Sequence, residues 1–124
     1  AAGVSDGDVR LFRSESFDSD PQIHSAASSV FKSQYSDSDN SFLVKQVDIV
    51  EFLMEMGDIG IVKIDAEGAE VPILESILGN KSLANRIGYI FAELHEALFP
   101  ELSARYNALR DRCNALPHVN LNWP

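Results

Sequence analysis

Two nearly continuous apolar runs stand out in the second half of the chain. Residues 59–64 and 87–94 are rich in isoleucine and carry few charges, which is the pattern of parallel strands covered on both faces. Residues 9–12 alternate weakly between polar and apolar positions after the turn-forming residues 5–8, so they predict a strand that follows a tight turn. A helical pattern follows each apolar run, so we expect strands and helices to alternate.

Three segments repeat their apolar residues at helical spacing. The first begins after Asp48, whose side chain can cap a helix, and stops at Gly57. The second tolerates Pro72 in its first turn and ends at Gly79, and the third opens at Pro100. The buried stripes predicted for these helices are Ile49, Val50, Phe52, Leu53 and Met56; Ile73, Leu74, Ile77 and Leu78; and Leu102, Tyr106, Leu109 and Cys113.

Residues 14–41 differ from the rest of the chain because serine and aspartate dominate them. These residue types bond to their own backbone and favour turns, so we predict a long loop, either a mobile linker or a lid over a site. A short strand is predicted over residues 42–44, and residues 119–123 alternate as a last strand. The order of elements predicts one α/β domain over residues 1–124, with a mostly parallel sheet flanked by helices.

Composition and charge exclude several classes of protein. The net charge is −9 and the ten lysines and arginines are scattered, so we expect no nucleic-acid partner. No stretch approaches the ~20 uncharged apolar residues of a membrane span, and we expect no membrane partner. Cys113 is the only cysteine, so it forms no intrachain disulfide, and a reducing, cytoplasmic setting is expected. Its helical spacing from Leu109 indicates a core residue rather than a nucleophile.

Polar residues follow both apolar runs where each predicted strand ends. Asp65 and Glu67 follow the first run; Glu93 and His95 follow the second and lie on one side, being two residues apart. We call these four residues the strand-end rim. Ligands of open α/β sheets bind beyond the carboxyl ends of the strands. If the strands are neighbours, a cation, a metal or a proton transfer would offset the repulsion among the carboxylates. The rim could equally be a set of solvated strand ends that cap helices.

A specific motif lies at residues 63–70, which read Lys-Ile-Asp-Ala-Glu-Gly-Ala-Glu and precede an apolar helix. This segment resembles the hallmark of FkbM-type methyltransferases. Residues 90–95 are similar to the next strand of that family, which ends in Glu-x-His. Residues 2–12 resemble its Ala-Val-Ser-Asp turn and the strand that follows, and Ser28 and Ser29 resemble its serine-rich segment. The likeness covers nearly the whole chain in the right order.

The resemblance implies a partial Rossmann-like methyltransferase sheet. It also implies methyl transfer from S-adenosylmethionine to an oxygen, typically a hydroxyl of a sugar or natural product. His95 is the expected base because its ordinary pKa lies near neutrality. Asp65 and Glu67 would flank the zone of methyl transfer and orient the acceptor, and Glu93 completes the expected catalytic set. Lys63 is expected to pair with a neighbouring carboxylate.

Part of that family's cofactor site has no counterpart in this sequence. Rossmann-type methyltransferases carry a Gly-rich loop after their first strand and an acidic residue that closes the second. None of the seven glycines here forms such a loop after a strand. The resemblance therefore predicts an N-terminally truncated domain that binds S-adenosylmethionine poorly by itself. The cofactor-binding residues predicted within this part are Ala2, Gly3 and Asp65.

Two other functions stay open. A non-catalytic interaction or oligomerisation remnant would have no pocket shaped for methylthioadenosine. The strand over residues 59–64 would lack its neighbour in the family, and such an apolar edge predicts self-association. A carboxylate-based metal-dependent hydrolase would need the whole strand-end rim within reach of one point. Asp65 falls where metal-dependent catechol-type methyltransferases place their first ligand, which would suit magnesium or calcium, but we predict no metal.

Overall fold

The computed structural model describes residues 1–14, 19–20, 28–32 and 36–122. Within these residues, strands and helices alternate along the second half of the chain, which confirms the predicted α/β class. In chain order the elements are β1 (Ala2–Gly3), β2 (Gly7–Ser14), β3 (Ser36–Asp48), α1 (Ile49–Met54), β4 (Ile59–Ile64), α2 (Glu70–Gly79), α3 (Lys81–Ala84), β5 (Ile87–Ala92), a 3₁₀ turn (Pro100–Leu102), α4 (Ser103–Cys113) and β6 (Val119–Asn120).

The second half forms a parallel sheet in the order β4-β5-β6. β4 and β5 are adjacent and parallel, with Ile59 opposite Ile87 and Ile64 opposite Ala92, as the sequence predicts. Helices connect β4 to β5 and β5 to β6, as parallel neighbours require. This arrangement is the Rossmann-like sheet that the resemblance implies. Among the described residues β4 pairs with β5 alone, so its other edge is open.

The first half forms a second sheet in the order β1-β3-β2. Its long β2–β3 hairpin corrects the loop predicted over residues 14–41, because residues 36–41 lie in β3, where Ser36 pairs with Ser14 and Ser41 with Phe12. Pairing with β2 at both ends of this segment holds it in the sheet, which outweighs the preference of its residues for turns. The short strand predicted over residues 42–44 is the middle of β3. The rest of the predicted loop lies largely outside the described residues, so the linker and the lid stay predictions.

The core lies between β4, β5 and the helices α2 and α4. Ile64, Ile90 and Ala92 of the sheet are buried against apolar residues of both helices. The stripes predicted for the second and third helices are confirmed, since every member is buried: Ile73, Leu74, Ile77 and Leu78; Leu102, Tyr106, Leu109 and Cys113. Cys113 is therefore a core residue, as predicted. None of the described helices is long and apolar enough to cross a membrane.

Among the described residues, the middle of one face of the parallel sheet is uncovered, which corrects the prediction that β4 and β5 are buried on both faces. Ile61 of β4 is 64% exposed and Tyr89, its partner on β5, is 55% exposed. Side chains alternate between the two faces of a strand, so these residues point away from the packed helices. Tyr89 stacks on Phe91 of the same face with ring centroids 6.4 Å apart, whereas Ile87, at the start of this face of β5, is buried.

Three smaller predictions change at element boundaries. Asp48 caps α1 as predicted, accepting from the backbone N–H groups of Val50 and Glu51, but Phe52 and Met56 of the predicted stripe are exposed. α1 has six residues, too few turns to bury both sides of that stripe. β5 ends at Ala92 rather than at residue 94, because the chain leaves the sheet after Glu93, whose N–H makes the last bond to β4. The last strand is Val119–Asn120, and Trp123 lies outside the described residues.

Candidate active site

The parallel register brings the ends of β4 and β5 to one edge of the sheet. The backbone N–H of Glu93 donates to the carbonyl of Ile64 at 3.0 Å, so the segments after the two strands leave the sheet side by side. All four residues of the strand-end rim consequently lie together. His95 is at their centre, with only 14% of its side chain exposed.

Three carboxylates surround one nitrogen of the His95 ring. Nε2 lies 3.4 Å from Oε1 of Glu67, 3.7 Å from Oε1 of Glu93 and 3.9 Å from Oδ1 of Asp65. Asp65 and Glu93 are each more than a third exposed, while Glu67 is mostly covered. Nε2 is therefore the ring nitrogen that faces the partly solvated rim.

The other ring nitrogen is held by Glu70, a residue that the sequence analysis did not assign to the site. Nδ1 of His95 lies 2.5 Å from Oε1 of Glu70, whose side chain is fully buried. Oε2 of Glu70 accepts from the backbone N–H of Gly68 at 2.8 Å. A carboxylate in the first turn of α2 also interacts favourably with the helix dipole. One signal in the sequence could have identified Glu70 as a site residue. It is the last acid of the motif at residues 63–70, which starts in the predicted strand and leads into the predicted helix.

The turn between β4 and α2 has an unusual backbone that fixes these side chains. Glu67 has φ = 44° and Gly68 has φ = 99°, both in the left-handed region that favours glycine. A Cβ at Gly68 would also lie 2.6 Å from the ring of Phe99, so only glycine fits there. The hydroxyl of Ser29 donates to the carbonyl of Glu67 at 2.5 Å. This turn aims Glu67 at the ring of His95.

The pKa values of two rim residues lie above their ordinary values, for different reasons. Burial alone would lower the pKa of His95, but the hydrogen bond to Glu70 and the negative charges of Glu67, Glu70 and Glu93 outweigh it, so the pKa of His95 lies above its ordinary value. Burial, reinforced by neighbouring carboxylates, raises the pKa of Glu67 against the opposing charge of His95. The site thus favours its protonated forms more than the free side chains do.

Lys63 lies beside the rim and contacts it through one carboxylate. Its Nζ lies 3.4 Å from Oδ2 of Asp65, which confirms the predicted pairing. Both side chains are largely exposed, so solvent screens this ion pair.

A cleft of about 390 Å³ opens beside the rim, between the start of β1, the segment at residues 28–30 and the turn after β4. Its lining includes the predicted cofactor residues Ala2 and Asp65, together with Glu67 of the rim. The third predicted cofactor residue, Gly3, is not part of the lining; it is buried against the side chain of Gln46. A larger hollow of about 800 Å³ between α4 and β6 contains none of the rim residues.

Part of the rim has spacing that one cation could bridge. Asp65, Glu93 and His95 each offer a ligand atom, and these atoms lie within 4.8 Å of one another. Glu67 is not a member of this group. A metal-dependent hydrolase would require all four rim residues around one point. Three of them lie within reach of a single ion, so the structure meets this requirement in part.

Comparison with known proteins adds one finding to this geometry. The family model described as the methyltransferase FkbM domain matches residues 4–115, which include strands β2 to β5 and the whole strand-end rim. No curated protein and no solved structure matches the chain.

Proposed function

Since the chain belongs to the FkbM methyltransferase family, we propose that its strand-end rim is the active site of an S-adenosylmethionine-dependent O-methyltransferase. The acceptor in this proposal is a hydroxyl of a sugar or another small molecule. One observation carries the assignment of roles: a buried carboxylate holds one nitrogen of His95 while the other nitrogen faces the rim. That geometry prepares an imidazole to accept a proton at one defined atom.

The cleft beside the rim fits the proposed cofactor in size and chemistry. Its volume of about 390 Å³ lies within the range of roughly 300–1,000 Å³ of small-molecule sites. Small side chains, including Ala2, Ala66 and Ala69, form much of its wall, and the carboxylates of Asp65 and Glu67 suit both ribose hydroxyls and a positively charged sulfonium. When bound there, S-adenosylmethionine would supply the methyl group.

His95 accepts the proton of the acceptor hydroxyl in this proposal. Glu70 accepts a hydrogen bond from Nδ1–H, which leaves the lone pair on Nε2 as the base. Glu93 and Asp65, both more than a third exposed, accept hydrogen bonds from the acceptor and hold it beside Nε2. Glu67, which lies closest to Nε2, favours the imidazolium that forms as the proton arrives.

A methyl-transfer assay on the full-length protein tests this proposal. With S-adenosylmethionine labelled in its methyl group and a panel of hydroxyl acceptors, label should move to an acceptor oxygen. Because only neutral His95 can accept a proton, kcat/KM should rise with pH through the pKa of His95, above the ordinary value of about 6.5. Glu70→Gln should move that rise to lower pH, because it removes the charge of Glu70, one of the causes that raise the pKa of His95.

Glu75→Gln is the matched control for the assay. Glu75 also lies in α2 and bonds a basic side chain, that of Arg105, but it is remote from the rim contacts. Its replacement should leave the pH profile unchanged. Absence of label transfer to every acceptor tested, by a protein that binds S-adenosylmethionine, would refute the proposed reaction.

A carboxylate-based metal-dependent hydrolase is the second candidate, because Asp65, Glu93 and His95 lie within reach of one cation. The two candidates differ in their response to metals. The hydrolase requires tight binding of a divalent ion and loses it in His95→Ala, whereas the methyltransferase as proposed transfers label in the presence of a chelator. Calorimetry with magnesium, calcium and zinc distinguishes them.

A further inference from the structure

Ser29 joins the serine-rich segment to the candidate active site. It is 3% exposed, although serines are mostly found on protein surfaces. Its backbone pairs with Phe12 of β2 through two hydrogen bonds, of 2.8 and 3.0 Å. The residue is therefore anchored to a strand of the first sheet, while its side chain points at the turn after β4.

The hydroxyl of Ser29 uses both its donor and an acceptor. It donates to the carbonyl of Glu67 at 2.5 Å and accepts from the backbone N–H of Phe31 at 2.9 Å. The bond from Phe31 directs the hydroxyl proton towards Glu67, because an N–H occupies one lone pair of the oxygen. The backbone of its own segment thus helps to orient this hydroxyl.

The carbonyl that Ser29 binds belongs to the residue with the least favourable backbone at the site. Glu67 has φ = 44°, a conformation that side chains other than glycine disfavour and that persists only where its surroundings impose it. The same conformation sends the carboxylate of Glu67 to within 3.4 Å of Nε2 of His95. A relaxed backbone at Glu67 would redirect that carboxylate.

We propose that Ser29 is a positioning residue: its hydroxyl holds Glu67 in the left-handed conformation and thereby sets the Glu67 carboxylate against Nε2 of His95. The kinetic part of this inference rests on the proposed methyl transfer, whereas the structural part does not. One hydroxyl, on a segment that pairs with β2 of the first sheet, thus fixes a rim residue in the turn after β4.

Two variants of the full-length protein test the role of the hydroxyl. Ser29→Ala removes it, and Ser29→Thr keeps it. Ser103→Ala is the matched control, because the hydroxyl of Ser103 also donates to a backbone carbonyl, that of Pro100, at 2.6 Å but touches no rim residue. If Ser29→Ala does not fold, Ser29→Cys, which keeps the size but donates weakly, takes its place.

Two readouts separate positioning from a general structural role. The backbone ¹³C chemical shifts of Glu67 report its φ and need no activity. In Ser29→Ala these shifts should move towards right-handed or extended values, and kcat should fall roughly five- to tenfold, the effect of about one hydrogen bond, with KM nearly unchanged. Ser29→Thr should keep the Glu67 shifts and kcat near their wild-type values, and Ser103→Ala should change neither the shifts nor kcat.

Each outcome decides one question. Unchanged Glu67 shifts in Ser29→Ala, or in Ser29→Cys where that variant is used, overturn the positioning role. Shifted Glu67 resonances in a protein that transfers no methyl group uphold the positioning role and count against the proposed reaction. Methyl transfer by the wild type, with kcat the same in Ser29→Ala and Ser103→Ala, upholds the reaction and overturns the kinetic part of the inference about Ser29.

Discussion

The buried pair of Glu70 and His95 offers the sharpest test of the site, and Glu70→Gln is the perturbation. Glutamine has the same shape as glutamate but no charge, so the change isolates the electrostatic part of the interaction. Glu70 is fully buried and lies 2.5 Å from Nδ1 of His95. Its charge and hydrogen bond are among the causes that raise the pKa of His95.

The sign of the pH effect follows from that raised pKa. A histidine whose folded pKa exceeds its unfolded value of about 6.5 stabilises the fold below that pH, and this contribution is lost as the pH rises through the folded pKa. Glu70→Gln removes the main source of the contribution. The variant should therefore lose more stability at pH 6 than at pH 9.

The loss of stability expected for Glu70→Gln follows from the contacts that Glu70 makes. A hydrogen bond to a charged group contributes about 1.5–3 kcal/mol, and removing one partner of a buried ion pair costs about 3–5 kcal/mol. Since glutamine keeps one acceptor oxygen, we expect a loss of about 2–3 kcal/mol at pH 6 and about half of that at pH 9. The bond from Gly68 to Glu70 accounts for part of the loss that persists at high pH.

Urea denaturation at the two pH values measures this difference, with Glu75→Gln as the control for an exposed ion pair. The control should cost less than about 1 kcal/mol at either pH. Equal or larger destabilisation of Glu70→Gln at pH 9 would refute the reasoning, because His95 would then not be the charged partner of Glu70.

Three further predictions concern catalysis, the turn and the open edge. His95→Gln should lower kcat by roughly a hundredfold or more and change the affinity for S-adenosylmethionine little by calorimetry; unchanged turnover would remove His95 from the mechanism. Gly68→Ala should lower the free energy of unfolding, measured by urea denaturation, by about 2–4 kcal/mol, because the new Cβ would lie 2.6 Å from the ring of Phe99. The control Gly60→Ala, with open space around its Cβ, should lower it by about 1 kcal/mol or less. Self-association through β4 is expected from its open edge and the exposed Ile61; Ile61→Lys should shift the protein towards monomer in light scattering, and a monomeric wild type at all concentrations would contradict the proposal.

Local patterns in the sequence were sufficient for β4, β5, α2 and α4 and for the strand-end rim, whereas the short helix α3 (Lys81–Ala84) was not predicted. β4 ends directly before Asp65, as its apolar run predicts, and β5 ends directly before Glu93, two residues earlier than its run predicts. Parallel neighbours joined by one helical crossover must end at the same edge. The meeting of the four rim residues therefore follows once β4 and β5 are neighbours, which the structure shows.

Contacts between distant residues were decided only by the tertiary structure. Glu70 and His95 are 25 positions apart, and no periodicity marks a helix-start glutamate as the partner of a particular histidine. Ser29 donates to Glu67, 38 positions away in the sequence. The serine-rich composition around Ser29 predicts a loop and gives no sign of this contact. Burial of both faces of β4 was predicted from its apolar run, yet Ile61 is exposed, because an apolar sequence permits burial and only a packed neighbour produces it.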